Sequence, residues 1–375
     1  MPRRVYLDWN ATTPPLPAAL DAMRAAAERA WGNPSSIHAD GRAARAVVED
    51  ARSAVGELMG RDPRDVLLTG GGTEANNIAL RSAGPGWILT SRLEHPSIVK
   101  VAEALEREGR ARVRFLRVTP LGVVDLEDLD RALAEARGEI ALVTVQAVNH
   151  ETGVVQPVAE VIERAHAAGA RVHVDAVQAW GKIDTSPLAR ADSTSLAIHK
   201  LRGPKGIGAL ATRPGLSLSA VLLGGAQERG LRPGTTDPVL AAGLGAAARY
   251  AKDGHLRYAR IAEKRDALER ALLVGASKPR VAGDAARRAP HVSNLVWPGW
   301  VGAELVAALD LEGVSVSSGA ACSAGTVEPS PVLLAMTNDP AEASRGVRAS
   351  LGEETTDDDV NAAIAAFQRV VARAA

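Results

Sequence analysis

Cys322 is the only cysteine in this chain of 375 residues, and it lies in a stretch of small side chains from Ser317 to Gly325. A single thiol can form no disulfide within its chain and cannot share a metal ion with a second cysteine. One interpretation is a buried cysteine that packs as a small hydrophobic side chain. The other is a reactive thiol, left uncrowded by the glycines around it. The residues elsewhere in the chain decide between the two.

Lys200 is the second residue whose position suggests chemistry. Lysine is rare here, and the lysines are Lys100, Lys182, Lys200, Lys205, Lys252, Lys264 and Lys278. Lys200 follows the predicted strand that comes after Asp175. Burying an ammonium group is unfavourable unless it is paired, neutral or covalently bonded, and a Schiff base to an aldehyde removes the problem. Lys205 is the alternative, although its Gly-Pro-Lys-Gly setting favours a turn.

A glycine turn, Gly70 to Gly72, joins a predicted strand to a predicted helix that begins at Thr73. Backbone amides at a helix N-terminus can bind a phosphate, and the Thr73 hydroxyl can add a hydrogen bond. The alternative is a tight turn in which Thr73 only caps the helix. The turn is not a nucleotide P-loop, because no Gly-Lys-Ser/Thr follows the glycines.

Asp175 ends the apolar strand that precedes Val177 and Gln178. One interpretation is a cap for the next helix. The other is a carboxylate that pairs with a protonated ring nitrogen and keeps that ring cationic.

The middle of the chain alternates short apolar strands with helices. The predicted strands are 66–69, 87–90, 113–116, 140–145, 171–175, 193–197 and 208–212, and the predicted helices are 73–81, 96–108, 125–137 and 158–168. This alternation is typical of an α/β fold with a mostly parallel sheet covered on both faces. Right-handed crossovers bring the loops after the strands to one edge, where ligands bind in such sheets.

The composition changes after about residue 250. There the sequence predicts a charged helix over 256–273, a strand over 311–316 before the cysteine, and a final helix from 356 to the end. We expect a large domain of residues 14–250. A smaller α+β domain, made of residues 1–13 and 251–375, would carry the cysteine loop.

The charge balance restricts the partners. Lys+Arg and Asp+Glu each number 44, so the net charge is zero, which argues against nucleic acid or an anionic membrane as a partner. Weak self-repulsion is compatible with a homodimer. The sequence shows no signal-peptide pattern and no run of 18 apolar residues, so we expect a soluble, cytoplasmic protein in a compartment where a free thiol persists.

Segments that together point to a known protein family occur along the chain from Tyr6 to Gly352. They are Tyr6-Leu7-Asp8-Trp9-Asn10-Ala11-Thr12-Thr13-Pro14, Gly32-Asn33-Pro34-Ser35-Ser36, Glu94-His95, Val148-Asn149-His150-Glu151-Thr152-Gly153, Glu228-Arg229-Gly230-Leu231-Arg232-Pro233-Gly234-Thr235, the cysteine loop and Arg348-Ala349-Ser350-Leu351-Gly352. In these segments, and over essentially its whole length, the chain resembles the cysteine desulfurases, fold-type-I pyridoxal-phosphate enzymes of the class-V aminotransferase group. The Ser-Ser-Gly-x-Ala-Cys-x-x-Gly loop separates desulfurases from related transaminases and lyases.

The resemblance implies a large domain with a mostly parallel seven-stranded sheet that binds pyridoxal 5'-phosphate. It implies that Lys200 binds the cofactor covalently, that Asp175 pairs with the pyridine nitrogen, and that His95 stacks on the ring and moves protons. The other residues that it assigns to the cofactor are Gln178 at the phenolic oxygen, Gly72, Thr73 and His199 at the phosphate, Asn149, and Thr235 at the phosphate of the other subunit. Such a site requires a homodimer and no metal ion.

The resemblance also implies that L-cysteine is the substrate. Asn149 and Arg348 would bind its carboxylate, with Asn33 as a further contact. Cys322 would attack the substrate sulfur as a thiolate, take it as a persulfide and leave alanine. The acceptor stays open between a scaffold protein, a sulfur carrier, a tRNA-thiolation enzyme and a biosynthetic pathway. Housekeeping members often continue past the last helix with a tail that docks the scaffold, whereas this sequence stops at Ala375.

The chain departs from the family pattern at three places. Ala197 stands where serine or threonine is usual, which removes one phosphate hydrogen bond worth on the order of 1 kcal/mol. The glycine turn 70–72 replaces a more usual Ser-Gly-Ala, and His150 replaces a second asparagine. None of these changes removes a predicted catalytic group.

Three of these site residues also have structural interpretations. His95 precedes Pro96 and could start a helix, Asn149 could cap a turn, and Arg348 could pair with Glu353 or Glu354 on the surface.

Other functions also stay open. One is a selenocysteine lyase or another class-V lyase or aminotransferase, and another is a nucleotide-binding α/β protein. A pyridoxal-phosphate protein that only regulates a partner is disfavoured, because such a protein has no use for Lys200, Asp175, His95 and Cys322 together.

Overall fold

Strands and helices alternate along the chain in the computed structural model, which describes residues 4–275, 277–319 and 328–373. The strands are β1 (Val5–Tyr6), β2 (Val66–Thr69), β3 (Trp87–Ser91), β4 (Arg112–Leu116), β5 (Ile140–Gln146), β6 (Val172–Asp175), β7 (Ser193–Ala197), β8 (Gly208–Thr212), β9 (Arg280–Val281), β10 (Val292–Val296), β11 (Val314–Ser315) and β12 (Gly346–Ser350). The helices are α1 (Pro17–Arg29), α2 (Ala39–Met59), α3 (Gly72–Arg81), α4 (Pro96–Arg107), α5 (Leu126–Glu135), α6 (Val158–Ala167), α7 (Pro238–Ala251), α8 (Gly254–Ala259), α9 (Ile261–Leu273), α10 (Gly302–Leu311), α11 (Pro331–Thr337), α12 (Pro340–Ala343) and α13 (Asp357–Ala372).

The largest sheet has seven strands in the order β2-β8-β7-β6-β5-β3-β4. The pairs from β7 through β4 are parallel, and β8 is antiparallel to both of its neighbours. β2, β6, β7 and β8 are buried along their whole length, as expected of strands covered on both faces. The predicted α/β fold with a mostly parallel sheet is confirmed.

The strand directions bring several loops to one edge of this sheet. β2 runs the same way as β7, because both pair antiparallel with β8. The segments that follow β2, β3, β5, β6 and β7 therefore leave the sheet at a common edge. The glycine turn follows β2, His95 follows β3 and Asn149 follows β5. Asp175 is the last residue of β6, and Lys200 follows β7.

Local sequence features fix where two helices begin at this edge. Gly71 caps α3 with a φ of 145°, a conformation that side-chain-bearing residues rarely adopt. Pro96 occupies the first turn of α4, where its missing N–H is harmless, and the His95 side chain accepts a hydrogen bond from the Ser97 amide.

Two smaller sheets lie next to this edge. β10 pairs antiparallel with β9 and β12, and β1 pairs parallel with β11. Isolated bridges join Asp8 to Ser350 and Ser317 to Arg348, so the N-terminal segment and the start of the cysteine loop meet β12. The domain boundaries at residues 13 and 250 stay a prediction.

Two predicted elements near the C-terminal half are wrong in detail. The strand predicted over 311–316 is only β11, because α10 continues to Leu311 with Leu305 and Leu309 buried at helical spacing. The helix predicted over 256–273 is divided into α8 and α9. The division lies at Arg260, whose amide bonds to the Arg257 carbonyl and so tightens the turn.

Across the described ranges, no helix is both long enough and apolar enough to cross a membrane.

Candidate active site

Asp175 lies at the end of β6 as a buried carboxylate with three donors around it. Its Oδ2 accepts from Asn76 Nδ2 at 2.8 Å, and its Oδ1 accepts from the Val177 amide at 3.0 Å and from Ser195 Oγ at 3.2 Å. These contacts fix the direction of the carboxylate at the sheet edge. Asp175 is therefore held ready to pair with a cationic group in the adjoining space.

His95 lies beside Asp175 and is held through its Nδ1 atom. Nδ1 accepts from the Ser97 amide at 3.1 Å and lies 2.8 Å from Ser97 Oγ. An amide N–H can only donate, so Nδ1 carries no proton and the neutral ring keeps its proton on Nε2. Burial lowers the pKa of His95, Lys200 lowers it further, and Asp175 opposes both. The ring is therefore neutral at pH 7, and the helix-capping contact at Nδ1 leaves Nε2–H without a hydrogen-bond partner among the described residues.

Asn76 joins these two residues and was not predicted from the sequence. Its Nδ2 donates to Asp175 and also to Ser97 Oγ at 2.9 Å, while its Oδ1 lies 3.1 Å from His173 Nε2. The sequence does carry a signal, because Asn76 is a polar residue on the buried face of α3, one turn after the glycines.

Lys200 lies in the 3₁₀ turn Ile198–Lys200 directly after β7 rather than within the strand. Its Nζ donates to the carbonyl oxygens of Asn10 at 2.6 Å and Ala11 at 2.7 Å. The half-buried ammonium group thus reaches the N-terminal segment. Lys205 is exposed, so of the two candidate lysines Lys200 lies in the site.

The start of α3 forms a close-packed cradle. A Cβ atom on Gly72 would lie 2.7 Å from Val177 Cγ2 and 3.4 Å from Ala197 Cβ. Any side chain at position 72 would therefore collide with the loop after Asp175. The first amides of a helix have no acceptor within the helix, so Gly72 and Thr73 can offer theirs to an anion.

His199 and Gln178 both lie close to Lys200. His199 Nδ1 is 3.1 Å from Thr12 Oγ1, and burial, together with Lys200, Lys205 and Lys182, lowers its pKa to about 4. Gln178 is buried, and its Nε2 donates to the Asn10 carbonyl at 3.0 Å. Both predicted residues are thus placed near Lys200.

Arg348 projects from β12 and is buried. It donates to the His150 carbonyl at 2.8 Å and to Asp8 Oδ1 at 2.6 Å, while its Nε has no partner among the described residues. The alternative prediction, in which Arg348 pairs with Glu353 or Glu354 on the surface, is wrong. Glu353 and Glu354 instead pair with Arg202. A buried guanidinium with an unsatisfied N–H is a ready contact for a substrate carboxylate.

Asn149 is buried, and most of its side chain is engaged in a turn. Its Oδ1 accepts from the amides of Glu151 and Thr152 at 2.9 and 2.8 Å, and its Nδ2 donates to the Leu93 carbonyl at 3.0 Å. The capping interpretation is therefore correct for its oxygen. Only the second N–H of the amide remains for a ligand.

Asn33 and Thr235 lie apart from this cluster. Both are exposed, and the one side-chain bond of Asn33 within the described ranges is the hydrogen bond that its Oδ1 accepts from the Ser35 amide. Cys322 lies outside the described residues.

Glu151 is a buried residue that the sequence did not single out. Its Oε2 accepts from Ser330 Oγ at 2.5 Å, and a Cβ atom on Gly319 would lie 2.3 Å from the same oxygen. Burial raises the pKa of Glu151, which Ser330 and Arg348 partly offset. The carboxyl group therefore contacts both flanks of residues 320–327.

The chain matches the family described as aminotransferase class-V over residues 5–363. A cysteine desulfurase from Cereibacter sphaeroides is 40% identical over 368 residues, which cover 96% of this chain and 93% of that protein. A yeast protein described as a mitochondrial cysteine desulfurase is 38% identical over 371 residues, covering 96% of this chain and 73% of that protein.

A solved structure agrees with this match. The structure of a NifS-like protein from Rickettsia africae superposes with a TM-score of 0.89 at 28% identity, covering 99% of this chain and 100% of that chain. The sheet edge that carries Asp175 and Lys200 is thus built on a fold shared with that protein.

Proposed function

The chain belongs to the class-V aminotransferase family and acts as a cysteine desulfurase, and from this premise we propose how its residues divide the reaction. L-cysteine and the Cys322 thiol would yield L-alanine and a Cys322 persulfide. The C–S bond of the substrate breaks, an S–S bond forms at Cys322, and the atoms of the two reactants equal those of the two products. The observation that carries the proposal is the joint placement of Lys200, Asp175 and His95 at one sheet edge next to Arg348.

The residues at this edge fit pyridoxal 5'-phosphate. Asp175 offers an oriented carboxylate to a ring nitrogen, Lys200 an amine to an aldehyde, and Gly72 a side-chain-free cradle for a phosphate. Thr73 and His199 would add donors to that phosphate, and Gln178 would donate to the ring oxygen. When bound, pyridoxal phosphate withdraws electrons from the attached amino acid and so acidifies its Cα proton.

Two residues of the chain would move protons. Lys200 Nζ is the candidate base at Cα, because it is the amine that reaches the space beside Asp175 and His95. His95 presents an Nε2–H from a ring that its Ser97 contacts hold in one orientation. Burial keeps this ring neutral, so Nε2–H would donate a hydrogen bond to the reacting group, and it would pass on its proton only as Nδ1 takes one up, which leaves the ring neutral.

Arg348 would bind the carboxylate of L-cysteine, with the remaining N–H of Asn149 and with Asn33 as further contacts. We expect Arg348→Gln to raise KM for L-cysteine about ten- to hundredfold, since a charge-assisted hydrogen bond is lost. Steady-state kinetics with cofactor in excess measure this effect. Asp8→Asn is the matched control, because it breaks the same ion pair and keeps the guanidinium. An equal rise in KM in that control would assign the effect to the ion pair rather than to substrate binding.

Ala197 gives a prediction about cofactor affinity. Its Cβ lies next to the start of α3, so a hydroxyl at this position would face the phosphate cradle. We expect Ala197→Ser to tighten pyridoxal phosphate binding about fivefold, as one neutral hydrogen bond would. Titration of apoprotein with the cofactor measures the change. Ala197→Val, which adds methyl groups only, should not tighten binding, and an equal gain in both variants would contradict the argument.

A homodimer is part of this proposal. Thr235 is exposed on the loop after the 3₁₀ turn Gln227–Gly230, where a second copy of the chain could bring a phosphate to it. Arg52 holds this turn through Glu228 at 2.6 Å, and Leu223, shortly before the turn, is 92% exposed. A second copy would cover such an apolar side chain. Analytical ultracentrifugation tests the proposal, and a monomer at micromolar concentration would contradict it.

The products distinguish the alternatives. Incubation with L-cysteine and a thiol reductant should give sulfide and alanine in equal amounts. Pyruvate or keto-acid exchange would instead indicate another class-V lyase or aminotransferase, and a strong preference for selenocysteine would indicate a selenocysteine lyase. The sulfur acceptor would be a protein scaffold, a sulfur carrier or a thiolation enzyme.

A further inference from the structure

Lys182 is a buried lysine for which the mechanism above has no use. It lies four residues after Gln178 in the turns that follow β6, and it is the largest fully buried side chain in the described part of the chain, with 0% exposure. Its Nζ donates to Gln178 Oε1 at 2.8 Å and lies 6.0 Å from the ring centroid of Tyr258. A lysine is almost never buried to this extent unless its charge is paired.

No carboxylate compensates for this amine. Within residues 4–275, 277–319 and 328–373, the side-chain hydrogen bond of Lys182 goes to Gln178, and no Asp or Glu is among the charged groups that act on its pKa. The charged groups that act on it are Lys200 and Arg348, and both lower its pKa, in addition to the larger effect of burial. An apolar side chain of similar volume would stabilise the fold better than an uncompensated buried amine. Stability alone therefore does not explain a lysine here.

The hydrogen bonds show what the amine does. Lys182 Nζ donates to Oε1, so the atom of Gln178 that faces it is the carbonyl oxygen. The NH₂ group of Gln178 must then point the other way, where it donates to the Asn10 carbonyl. Lys200 Nζ donates to the same carbonyl oxygen at 2.6 Å. Lys182 at the oxygen and the Asn10 carbonyl at the nitrogen thus together hold Gln178 so that it presents a donor, rather than an acceptor, to the space around Lys200.

Asn10 is held independently of Lys182. Its Oδ1 lies 2.8 Å from His291 Nε2, and its Nδ2 donates to the His150 carbonyl at 3.1 Å. Removing the Lys182 amine should therefore leave Asn10 in place and release only Gln178. The terminal torsion of a glutamine amide is broad, so an amide that keeps only the Asn10 contact is held at one end and samples a wider range of orientations.

We propose that Lys182 is a positioning residue that fixes the amide of Gln178 so that its NH₂ group faces the cofactor site beside Lys200. This proposal rests on the proposed function, because it takes the ligand of that site to be pyridoxal phosphate. The chemistry that would recognise the Gln178 donor is an acceptor oxygen on the cofactor ring.

Lys182→Met tests the proposal through two measurements on apoprotein. Titration with pyridoxal phosphate, followed by visible absorbance, should show about tenfold weaker binding, in line with loss of a hydrogen bond to a charged oxygen. The Tm of the apoprotein should be unchanged or higher, because Met is apolar and of similar volume. Lys100→Met, at an exposed lysine of α4, is the control and should alter neither quantity. Weaker binding without loss of stability separates positioning from a merely structural role.

A double-mutant cycle shows whether Lys182 acts through Gln178. In a Gln178→Ala background, Lys182→Met should change the cofactor affinity less than twofold. A second tenfold loss there, an unchanged affinity in the single variant, or failure of Lys182→Met to fold would overturn the proposal. If the unmodified protein does not bind pyridoxal phosphate at all, the proposed function fails instead.

Discussion

Replacing Lys200 with alanine should abolish covalent binding of pyridoxal phosphate and lower desulfurase activity by more than about 10³-fold. The reason is that one amine supplies both the bond to the cofactor aldehyde and the base at Cα. Borohydride treatment of the holoprotein followed by peptide mapping measures the first effect, and alanine formation measures the second. The variant should still fold, because Lys200 lies in a half-buried turn rather than in the core.

Lys205→Ala is the matched control for this experiment. Lys205 follows the same strand but is exposed, so its loss should leave cofactor attachment and activity within about twofold of the unmodified protein. If the Lys200 variant kept its attached cofactor and the Lys205 variant lost it, the covalent role would belong to Lys205.

Cys322→Ala should lower sulfide release by more than about 10³-fold and leave cofactor affinity within about twofold. The thiolate that accepts the sulfur is lost, whereas Lys200, Asp175 and the glycine cradle remain. The variant should also still change its visible spectrum when L-cysteine is added, because substrate binding does not depend on the thiol.

Cys322→Ser is the companion variant. It keeps the size and polarity of the side chain but offers a poor nucleophile, so it should be as inactive as the alanine variant. Parental turnover in either variant would return Cys322 to its first interpretation, a small hydrophobic side chain without a chemical role.

The sheet and the edge that carries the site could be predicted from the sequence because both depend on short-range patterns. Apolar strands separated by helices indicate a parallel sheet, and right-handed crossovers put Asp175 and Lys200 at the same edge. Helices α1 and α2 were not predicted. They pack against α7, so their partner lies about 200 residues away in the sequence.

The hydrogen bonds that orient the site could not be predicted in the same way. Asn10 meets His291 across 281 residues, and Asn76 meets Asp175 across 99. Such contacts depend on how separate segments pack, which no local pattern encodes. Lys182 could be named from the sequence as one of few lysines, but its burial is visible only in the fold.

Asn149 and Arg348 each combine a structural contact with a group that the proposed function would use. Asn149 caps a turn with its oxygen, and Arg348 pairs with Asp8 while its Nε has no hydrogen-bond partner in the described part of the chain. The structural and functional interpretations drawn from the sequence were therefore not exclusive at Asn149.

Mass spectrometry of the holoprotein after brief exposure to L-cysteine, with alanine measured in the same sample, tests the central claim most directly. We expect the peptide that contains Cys322 to gain the mass of one sulfur atom, with alanine formed in a matching amount. Alanine or pyruvate formed without added sulfur on that peptide would contradict transfer to Cys322.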